Sequence, residues 1–267
     1  IPLAQTICTQ TVIAVNLTST VAGSTYAWTC TASSPNITGF TNGSGNLISQ
    51  TLSNSGFSIE SVTYHVTPTA NGCTGPVSDY VVTVNPKPDV SNTPMSSQVC
   101  SGNSPNINLT SHVAGANFSW TATGSSGNVT GFGPGSGLVI NQVLTNSGFA
   151  IESVTYHITP AANGCTGLTL DYVVTVSQVP DVYFSPATQT ICSQQSSNIS
   201  LLSHVAGTTF TWTASSSSPN VTGYSPGSGS TISQTLVNSG PTIESVTYTV
   251  TPAALGCPAG TLQSVTV

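Results

Sequence analysis

Six cysteines of this 267-residue chain recur at a fixed interval and could form disulfide bonds. One set is Cys8, Cys100 and Cys192, and the other is Cys73, Cys165 and Cys257, with 92 residues between neighbours in a set (100 − 8 = 92). Thiols that are kept in pairs through every copy of a repeat are typical of a disulfide framework. Because such bonds persist outside the cytosol, this pattern favours an extracellular protein.

The spacing leaves the pairing of these cysteines open. We favour bonds within each repeat, which give Cys8–Cys73, Cys100–Cys165 and Cys192–Cys257. Each would close a 65-residue loop (73 − 8 = 65) and stabilise its repeat by about 4 kcal/mol in the chain-entropy model. The alternative bonds successive repeats, Cys73 with Cys100 and Cys165 with Cys192. Zinc binding by the cysteines is a third interpretation, but no C-x-x-C motif or histidine cluster accompanies the thiols.

The remaining residues that could do chemistry do not form a catalytic set. Glu60, Glu152 and Glu244 are the acidic positions shared by all three repeats, and a glycosidase-type site would need a second shared carboxylate. We therefore expect each to accept backbone hydrogen bonds at the start of a strand. His65 and His157 alternate with apolar neighbours, which predicts that they lie on a solvated strand face. No cofactor and no enzymatic activity are predicted.

Two further groups of residues could bind ligands. Asp89 and Asp181 occupy equivalent positions between repeats and are weak candidates for an inter-repeat calcium site, although calcium usually takes six to eight oxygen ligands. The aromatic residues Phe40, Phe132 and Tyr224 follow a shared Thr-Gly and could stack on sugar rings. The alternative for these rings is that they cap the end of the core.

The composition excludes several classes of partner. Only 3% of residues are charged, the net charge is −6, and Lys87 is the one basic side chain. Neutralising nucleic-acid phosphates or anionic lipid headgroups needs several Lys or Arg, so neither is an expected partner. No apolar run approaches the roughly 20 residues that a membrane-spanning helix needs. Cys30 corresponds to Ala122 and Ala214, which predicts a buried, inert thiol.

The sequence segments that contain these residues have the pattern of β-strands. In Val62–Thr67 apolar and polar residues alternate, and Asn, Gly and Ser clusters separate such runs, as between short strands of a sandwich. We predict three modules of about seven strands each, at residues 1–85, 93–177 and 185–267. The joints, such as Asn85-Pro86-Lys87-Pro88-Asp89, contain proline and should be semi-rigid. Three modules in series would then form a rod about 110 Å long.

The segment from Tyr64 to Cys73, with Val66-Thr67-Pro68 and Gly72-Cys73, recurs at Tyr156–Cys165 and Tyr248–Cys257. Together with the central Trp28-Thr29 and the closing Val81–Pro86, it resembles the PKD-like repeats of Bacteroidota cell-surface proteins, including gliding-motility adhesins secreted by the type IX system. The original PKD pattern has an Asp- and Gly-rich motif after its Trp, which is missing here.

The resemblance implies an all-β fold of three tandem Ig-like sandwiches, located outside the cell or on its surface. It implies a non-enzymatic stalk that holds a distal binding element of an adhesin or filament away from the cell. The expected partners are neighbouring repeats of the same chain, and surface polysaccharide or other cell-surface proteins. The alternative function is a carbohydrate-binding module array that uses the loop aromatics.

Overall fold

The computed structural model describes residues 4–254, 256–257 and 259–267, which form three similar β-sandwich modules. The predicted start of the first module at residues 1–3 lies outside the described residues. Module 1 contains β1 (Ala4–Cys8), β2 (Thr11–Asn16), β3 (Thr25–Ala32), β4 (Ile37–Thr38), β5 (Gly43–Ser44), β6 (Leu47–Asn54), β7 (Glu60–Ala70), β8 (Cys73–Thr74) and β9 (Ser78–Asn85). One sheet has the order β1-β9-β7-β3-β5, with β8 beside β7, and the facing sheet has the order β2-β6-β4.

Module 2 repeats this arrangement with some of the longer strands divided, whereas the described part of module 3 lacks counterparts of β1 and β8. Module 2 contains β10 (Ser96–Cys100), β11 (Ile107–Asn108), β12 (Asn117–Gly124), β13 (Val129–Thr130), β14 (Gly135–Ser136), β15 (Val139–Ile140), β16 (Thr145–Asn146), β17 (Glu152–Ala162), β18 (Cys165–Thr166) and β19 (Leu170–Ser177). Module 3 contains β20 (Tyr183–Ser185), β21 (Gln195–Ser196), β22 (Ile199–Leu202), β23 (Thr209–Ser216), β24 (Val221–Thr222), β25 (Gly227–Ser228), β26 (Thr231–Ile232), β27 (Thr235–Asn238), β28 (Val246–Ala253) and β29 (Gln263–Thr266).

The alternating pattern decides which face of each long strand is buried. In β7 the side chains of Val62, Tyr64 and Val66 are buried, whereas Thr63 and His65 between them are half-exposed. A period of two places successive side chains on opposite faces of a strand, so one face joins the core and the other meets water. The same alternation recurs in β17, with Ile158 in place of Val66, and in β28, with Thr249 in place of His65, which gives each module its own apolar cluster.

The prediction of three tandem Ig-like, antiparallel sandwich modules is therefore confirmed, with two differences in detail. The described part of module 1 has nine strands rather than seven, because several positive-φ residues, such as Gly39, divide the chain into short segments. The edge strands β1 and β10 pair in parallel with β9 and β19, in the registers Cys8↔Asn85 and Cys100↔Ser177.

Each tryptophan lies against a glycine, which explains the recurring Gly-Ser-Gly motif. Trp120 is 7% exposed, and a Cβ on Gly135 of β14 would lie 2.6 Å from its Cζ2 atom. Gly137 has a φ of 127°, a backbone conformation that other residues rarely adopt. The motif is thus a short strand under the indole followed by a turn, rather than only the turn that sequence patterns indicate.

We expect Gly135→Ala to destabilise module 2 by roughly 1–3 kcal/mol, because overpacking forces the indole or the strand to move. The measurement is urea denaturation followed by tryptophan fluorescence. Gly127→Ala is the matched control, since a Cβ at Gly127 meets nothing within 4 Å. Equal destabilisation by the two substitutions would contradict the proposed contact.

Candidate functional site: the joint between modules

The disulfide bonds join successive modules, which corrects the predicted pairing. Cys8 of module 1 is bonded to Cys165 of module 2, and Cys100 of module 2 is bonded to Cys257 of module 3. Both bonds have a Cα–Cα distance of 5.6 Å and span 157 residues of sequence. The predicted pairing within modules is wrong, and so is the alternative of Cys73 with Cys100 and Cys165 with Cys192. Among the residues that the structure describes, Cys30, Cys73 and Cys192 have free thiols.

The sandwich itself prevents a bond between Cys8 and Cys73. Cys8 lies beside Asn85 at the end of β9, and that end of the sheet coincides with the start of β7 at Glu60. Cys73 follows the opposite end of β7, which is 11 residues long. At strand rise, the two ends of β7 are about 33 Å apart, whereas a disulfide needs Cα atoms within about 7 Å.

A tight hairpin places the second cysteine of each bond. Asn163 and Gly164 connect β17 to β18 with φ values of 51° and 79°, the pattern of a two-residue type I′ turn. Asn and Gly are the residues that tolerate two successive positive φ values, which explains the Asn-Gly pair before Cys165. The side chain of Cys165 is buried, whereas Cys8 is half-buried.

Backbone contacts surround this bond. The Nδ2 group of Asn85 donates a hydrogen bond of 2.8 Å to the carbonyl of Asn163. A Cβ on Gly167 would overlap the carbonyl of Pro88, so only glycine lets the hairpin of module 2 approach the linker this closely. Gly260 has the same relation to Pro180 at the next joint. The hairpins of modules 2 and 3 therefore each pack on the end of the module before them.

Asp89 anchors the linker to module 2 through three contacts. Its Oδ1 atom accepts hydrogen bonds of 2.9 Å from the Ser111 hydroxyl and from the backbone N–H of His112, and its Oδ2 atom lies 2.6 Å from His112 Nδ1. Val90, the next residue, is buried in the core of module 2. Asp181 makes the equivalent contacts with Ser203 and His204 in module 3.

The same contacts involve Asp89 and Asp181, the two residues that the sequence suggested as weak candidates for a calcium site. Both oxygens of Asp89, and both of Asp181, already have protein partners. In the described part of the chain, no group of three or more His, Cys, Asp or Glu residues could hold a metal ion. In this structure, each carboxylate accepts hydrogen bonds from the module that follows its linker.

The pKa of Asp89 reflects these contacts. Partial burial acts to raise it, but hydrogen bonds from His112 and Ser111 outweigh burial and lower the pKa below its ordinary value. The pKa of Asp181 is lowered in the same way, with burial opposed by Ser203 and His204. The ionised carboxylate is therefore the form that holds each linker in place.

An aromatic pair completes each joint. The ring of Phe57 stacks on His112 with centroids 4.7 Å apart, and Phe149 stacks on His204 at 4.5 Å. Phe57 belongs to module 1 and His112 to module 2, so the stack crosses the joint. We did not predict this Phe–His pair from the sequence. The spacing of 55 residues between Phe57 and His112 (112 − 57 = 55) nevertheless recurs between Phe149 and His204.

The three candidate sugar-binding rings lie elsewhere, at the margin of each core. Phe40, Phe132 and Tyr224 are half-buried and pack against the apolar clusters of their modules. In module 2, Gln142 accepts a hydrogen bond from Gly133 N at 3.0 Å and another from the Tyr156 hydroxyl at 3.1 Å, which fixes the loop beside Phe132. Burial raises the pKa of Tyr156 to about 12. The three rings therefore lie at positions where they cover the edge of the apolar core.

The shared carboxylates and histidines have partners that differ from those expected. Glu60 accepts a short hydrogen bond from the Ser33 hydroxyl rather than from backbone, and Ser33 in turn accepts the N–H of Ser61. His65 Nδ1 lies 2.6 Å from Asp79 Oδ1, so this histidine is paired rather than simply solvated.

Cys30 is half-buried, and burial raises the pKa of its thiol.

Lowering the pH should weaken the anchoring of the linkers. Because the folded-state pKa of Asp89 is depressed, its contribution is present above the unfolded value near 4 and is lost as the pH falls through the folded value. We expect Asp89→Asn to cost about 1 kcal/mol at pH 7, because a hydrogen bond to a charged group is stronger than one to an amide. Urea denaturation at pH 7 and pH 3 measures both effects.

Asp171→Asn is the control for this experiment, since Asp171 also pairs with a histidine but has a more exposed side chain, 58% against 33% for Asp89. The wild-type chain should lose more stability between pH 7 and pH 3 than Asp89→Asn does. If Asp171→Asn removes the pH dependence of stability and Asp89→Asn leaves it unchanged, the titrating carboxyl group lies outside the joint.

Comparisons with known proteins assign these modules to a family. The model of the PKD-like domain family matches residues 5–88, 97–180 and 189–267. No curated protein matches the chain significantly. Among solved structures, human CDH23 EC21-23 is similar at 14% identity and a TM-score of 0.41, over 100% of this chain and 98% of that one. Mouse Cadherin-23 EC22-24 is similar at 11% identity and a TM-score of 0.39, over 99% and 93%.

Chicken CNTN1 FN1-FN3 has 12% identity and a TM-score of 0.32, with 97% of this chain and 94% of that one covered. The part of the chain that the structure describes contains no helix long and apolar enough to cross a membrane. The family model covers all three modules, and its matches begin and end close to the sandwiches seen in the structure. This chain belongs to the PKD-like domain family and consists of three tandem copies of that domain.

Proposed function

We propose that this chain is a structural stalk segment of a long secreted or cell-surface adhesin or filament. Its modules hold a distal binding element away from the cell. The observation that carries this proposal is that each disulfide connects two successive modules instead of closing one. Such a bond fixes one module on the next, which is useful to a protein that bears load along its length.

The pairing shortens the covalent route that tension can take through the chain. A force that enters at Cys8 crosses to Cys165, runs back through module 2 to Cys100 and crosses again to Cys257. The load-bearing backbone is then the 65 residues from Cys100 to Cys165 (165 − 100 = 65), rather than the 249 residues from Cys8 to Cys257 (257 − 8 = 249). Unfolding of module 1 or module 3 therefore releases no length between Cys8 and Cys257, and only the backbone of module 2 between Cys100 and Cys165 can extend.

The other features of the proposal are consistent with this role. Disulfides persist in oxidising compartments, which supports a location outside the cell. Together with the resemblance to Bacteroidota repeats, this supports export by the type IX system and a place in gliding-motility or related adhesins. Surface polysaccharide or other cell-surface proteins are then the partners of the distal element. The half-buried loop aromatics favour the stalk over a carbohydrate-binding array.

Single-molecule stretching of the chain tests the proposal. With both disulfides intact, we expect the extended contour between Cys8 and Cys257 to be limited to about 230 Å, against about 870 Å after reduction, at roughly 3.5 Å per residue. The reason is that the disulfides bypass the remaining backbone. Peptide mapping without reduction should recover Cys8 bonded to Cys165 in the same sample.

Two double variants serve as matched controls. Cys8→Ser with Cys165→Ser, and Cys100→Ser with Cys257→Ser, each leave one bond and 92 load-bearing residues (100 − 8 = 257 − 165 = 92). Both should stretch to about 320 Å. Bonds within modules would instead give the first variant a length of 184 residues (192 − 8 = 184), about 640 Å, and would refute the load-bearing role described here.

A further inference from the structure

Three polar side chains meet on the outer face of the sheet that contains β3, β7 and β9. They are Thr31 of β3, His65 of β7 and Asp79 of β9, which are neighbouring strands. His65 and Asp79 are direct cross-strand partners. On its other side, His65 is opposite Thr29 and reaches Thr31, two residues further along β3. Cross-strand neighbours share a face of the sheet, so the three side chains lie above one surface.

Hydrogen bonds join these side chains into one chain of contacts. The Nδ1 atom of His65 lies 2.6 Å from Asp79 Oδ1, and its Nε2 atom lies 3.0 Å from Thr31 Oγ1. An ionised carboxylate can only accept a hydrogen bond, so we assign the ring proton to Nδ1. Nε2 of the neutral ring then accepts the threonine hydroxyl. This is the order of a nucleophile, a general base and an orienting carboxylate.

The same Thr–His–Asp chain recurs in module 2. Thr123 Oγ1 lies 3.2 Å from His157 Nε2, and His157 Nδ1 lies 2.6 Å from Asp171 Oδ1. In both modules the threonine is exposed, whereas the histidine side chain is only 33% or 34% exposed. The hydroxyl is therefore open to an incoming molecule, while the neighbouring strands hold the imidazole in place.

A second hydroxyl flanks each exposed threonine. Thr63 is the direct cross-strand partner of Thr31, and Thr155 is the partner of Thr123. The Cβ atoms of direct partners are about 5 Å apart, on the same face of the sheet. A carbonyl group that approaches the threonine therefore meets an O–H donor beside it, which is the type of group that stabilises an oxyanion.

Module 3 has the same strands without this chain of contacts. Its equivalent positions hold Ser215, Thr249 and Ser264, in the same cross-strand register. The hydroxyls of Thr249 and Ser264 are 3.1 Å apart. Module 3 thus keeps a hydroxyl at the first position and lacks both the imidazole and the carboxylate.

We propose that the Thr–His–Asp chains of modules 1 and 2 are acyl-transfer sites, in which the threonine takes the acyl group of a carboxylic ester. Because both threonines are exposed on a sheet face, the donor reaches them without entering a cavity. Small esters with a good leaving group, such as aryl acetates, are the class of donor that suits such a site. This activity goes beyond the stalk function and does not depend on it.

The reaction conserves atoms and electrons without a cofactor. Thr31 Oγ1 attacks the carbonyl carbon of the ester while its proton passes to His65 Nε2. Asp79 keeps the ring oriented and stabilises the imidazolium. The tetrahedral intermediate then loses the leaving alcohol, which takes the proton from Nε2. One ester bond is broken and one is formed, on the threonine.

Reaction with para-nitrophenyl acetate tests the proposal after the free thiols have been alkylated. We expect acetyl esters on Thr31 and Thr123, identified by peptide mapping and removed by hydroxylamine. His65→Gln should lower the rate of acetylation at Thr31 about 100-fold, the lower end of what a positioned general base contributes. Thr123 in the same sample is the internal reference and should react as before. Equal acetylation of Thr31 with and without His65 would overturn the proposal.

A double variant separates the threonines from the imidazoles. Thr31→Ala with Thr123→Ala keeps both His–Asp pairs and should lose the acetyl esters together with most of the nitrophenol release. Release of nitrophenol at the wild-type rate would show that imidazole alone reacts with the ester, and the proposal would then be wrong.

Module 3 allows the site to be built in the same chain. Thr249→His with Ser264→Asp should add an acetyl ester on Ser215, which is unmodified in the wild-type chain. Thr249→His alone should acetylate Ser215 more slowly, because the ring lacks its orienting carboxylate. An unmodified Ser215 in the double variant would contradict the acyl-transfer site. Equal rates with and without Ser264→Asp would contradict the role given to Asp79 and Asp171.

Discussion

Each disulfide of this protein bonds the first strand of one sandwich to a hairpin of the next, and this constraint determines how the rest of the joint is built. Cys8 and Cys165 can meet only if the hairpin of module 2 packs on the end of β9. That contact requires glycine at position 167 opposite Pro88, and a type I′ turn at Asn163-Gly164. Asp89 and Val90 then hold the linker on module 2, so that the hairpin and the linker approach module 1 together.

The joint achieves this with almost no formal charge. The chain has one basic side chain and seven acidic ones, and the ion pairs seen among the described residues join His to Asp rather than Lys or Arg to a carboxylate. Hydrogen bonds from Ser111 and His112 to Asp89, the stack of Phe57 on His112, and a covalent bond take their place. Ring stacking, covalent bonds and short hydrogen bonds depend less on ionic strength than exposed ion pairs do.

The sequence predicts the modules well and the joint poorly, for physical reasons. The interval of 92 residues and the alternation in segments such as Val62–Thr67 depend on local chemistry, so they identify the repeat and its strands directly. The disulfide pairing depends instead on which end of the sandwich each cysteine occupies. Cys8 is close to Asn85 only because β1 pairs in parallel with β9, and this long-range register leaves no mark in residue spacing. Asp89 was likewise recognisable as a joint residue, but its partner His112 is 23 residues away in another module.

In a longer array with the same pairing, the disulfides would limit extension to a fraction of the folded length. From Cys165, tension would pass along 27 residues to Cys192 (192 − 165 = 27) and cross to the hairpin of the following module by a disulfide like the two observed here. Each pair of modules would then contribute 27 load-bearing residues, which span at most about 95 Å when fully extended. Two folded sandwiches of about 35–40 Å each already span about 75 Å at strand rise. Even complete unfolding would therefore lengthen the array by only about a quarter, so the disulfides would limit extension whether or not the sandwiches remain folded.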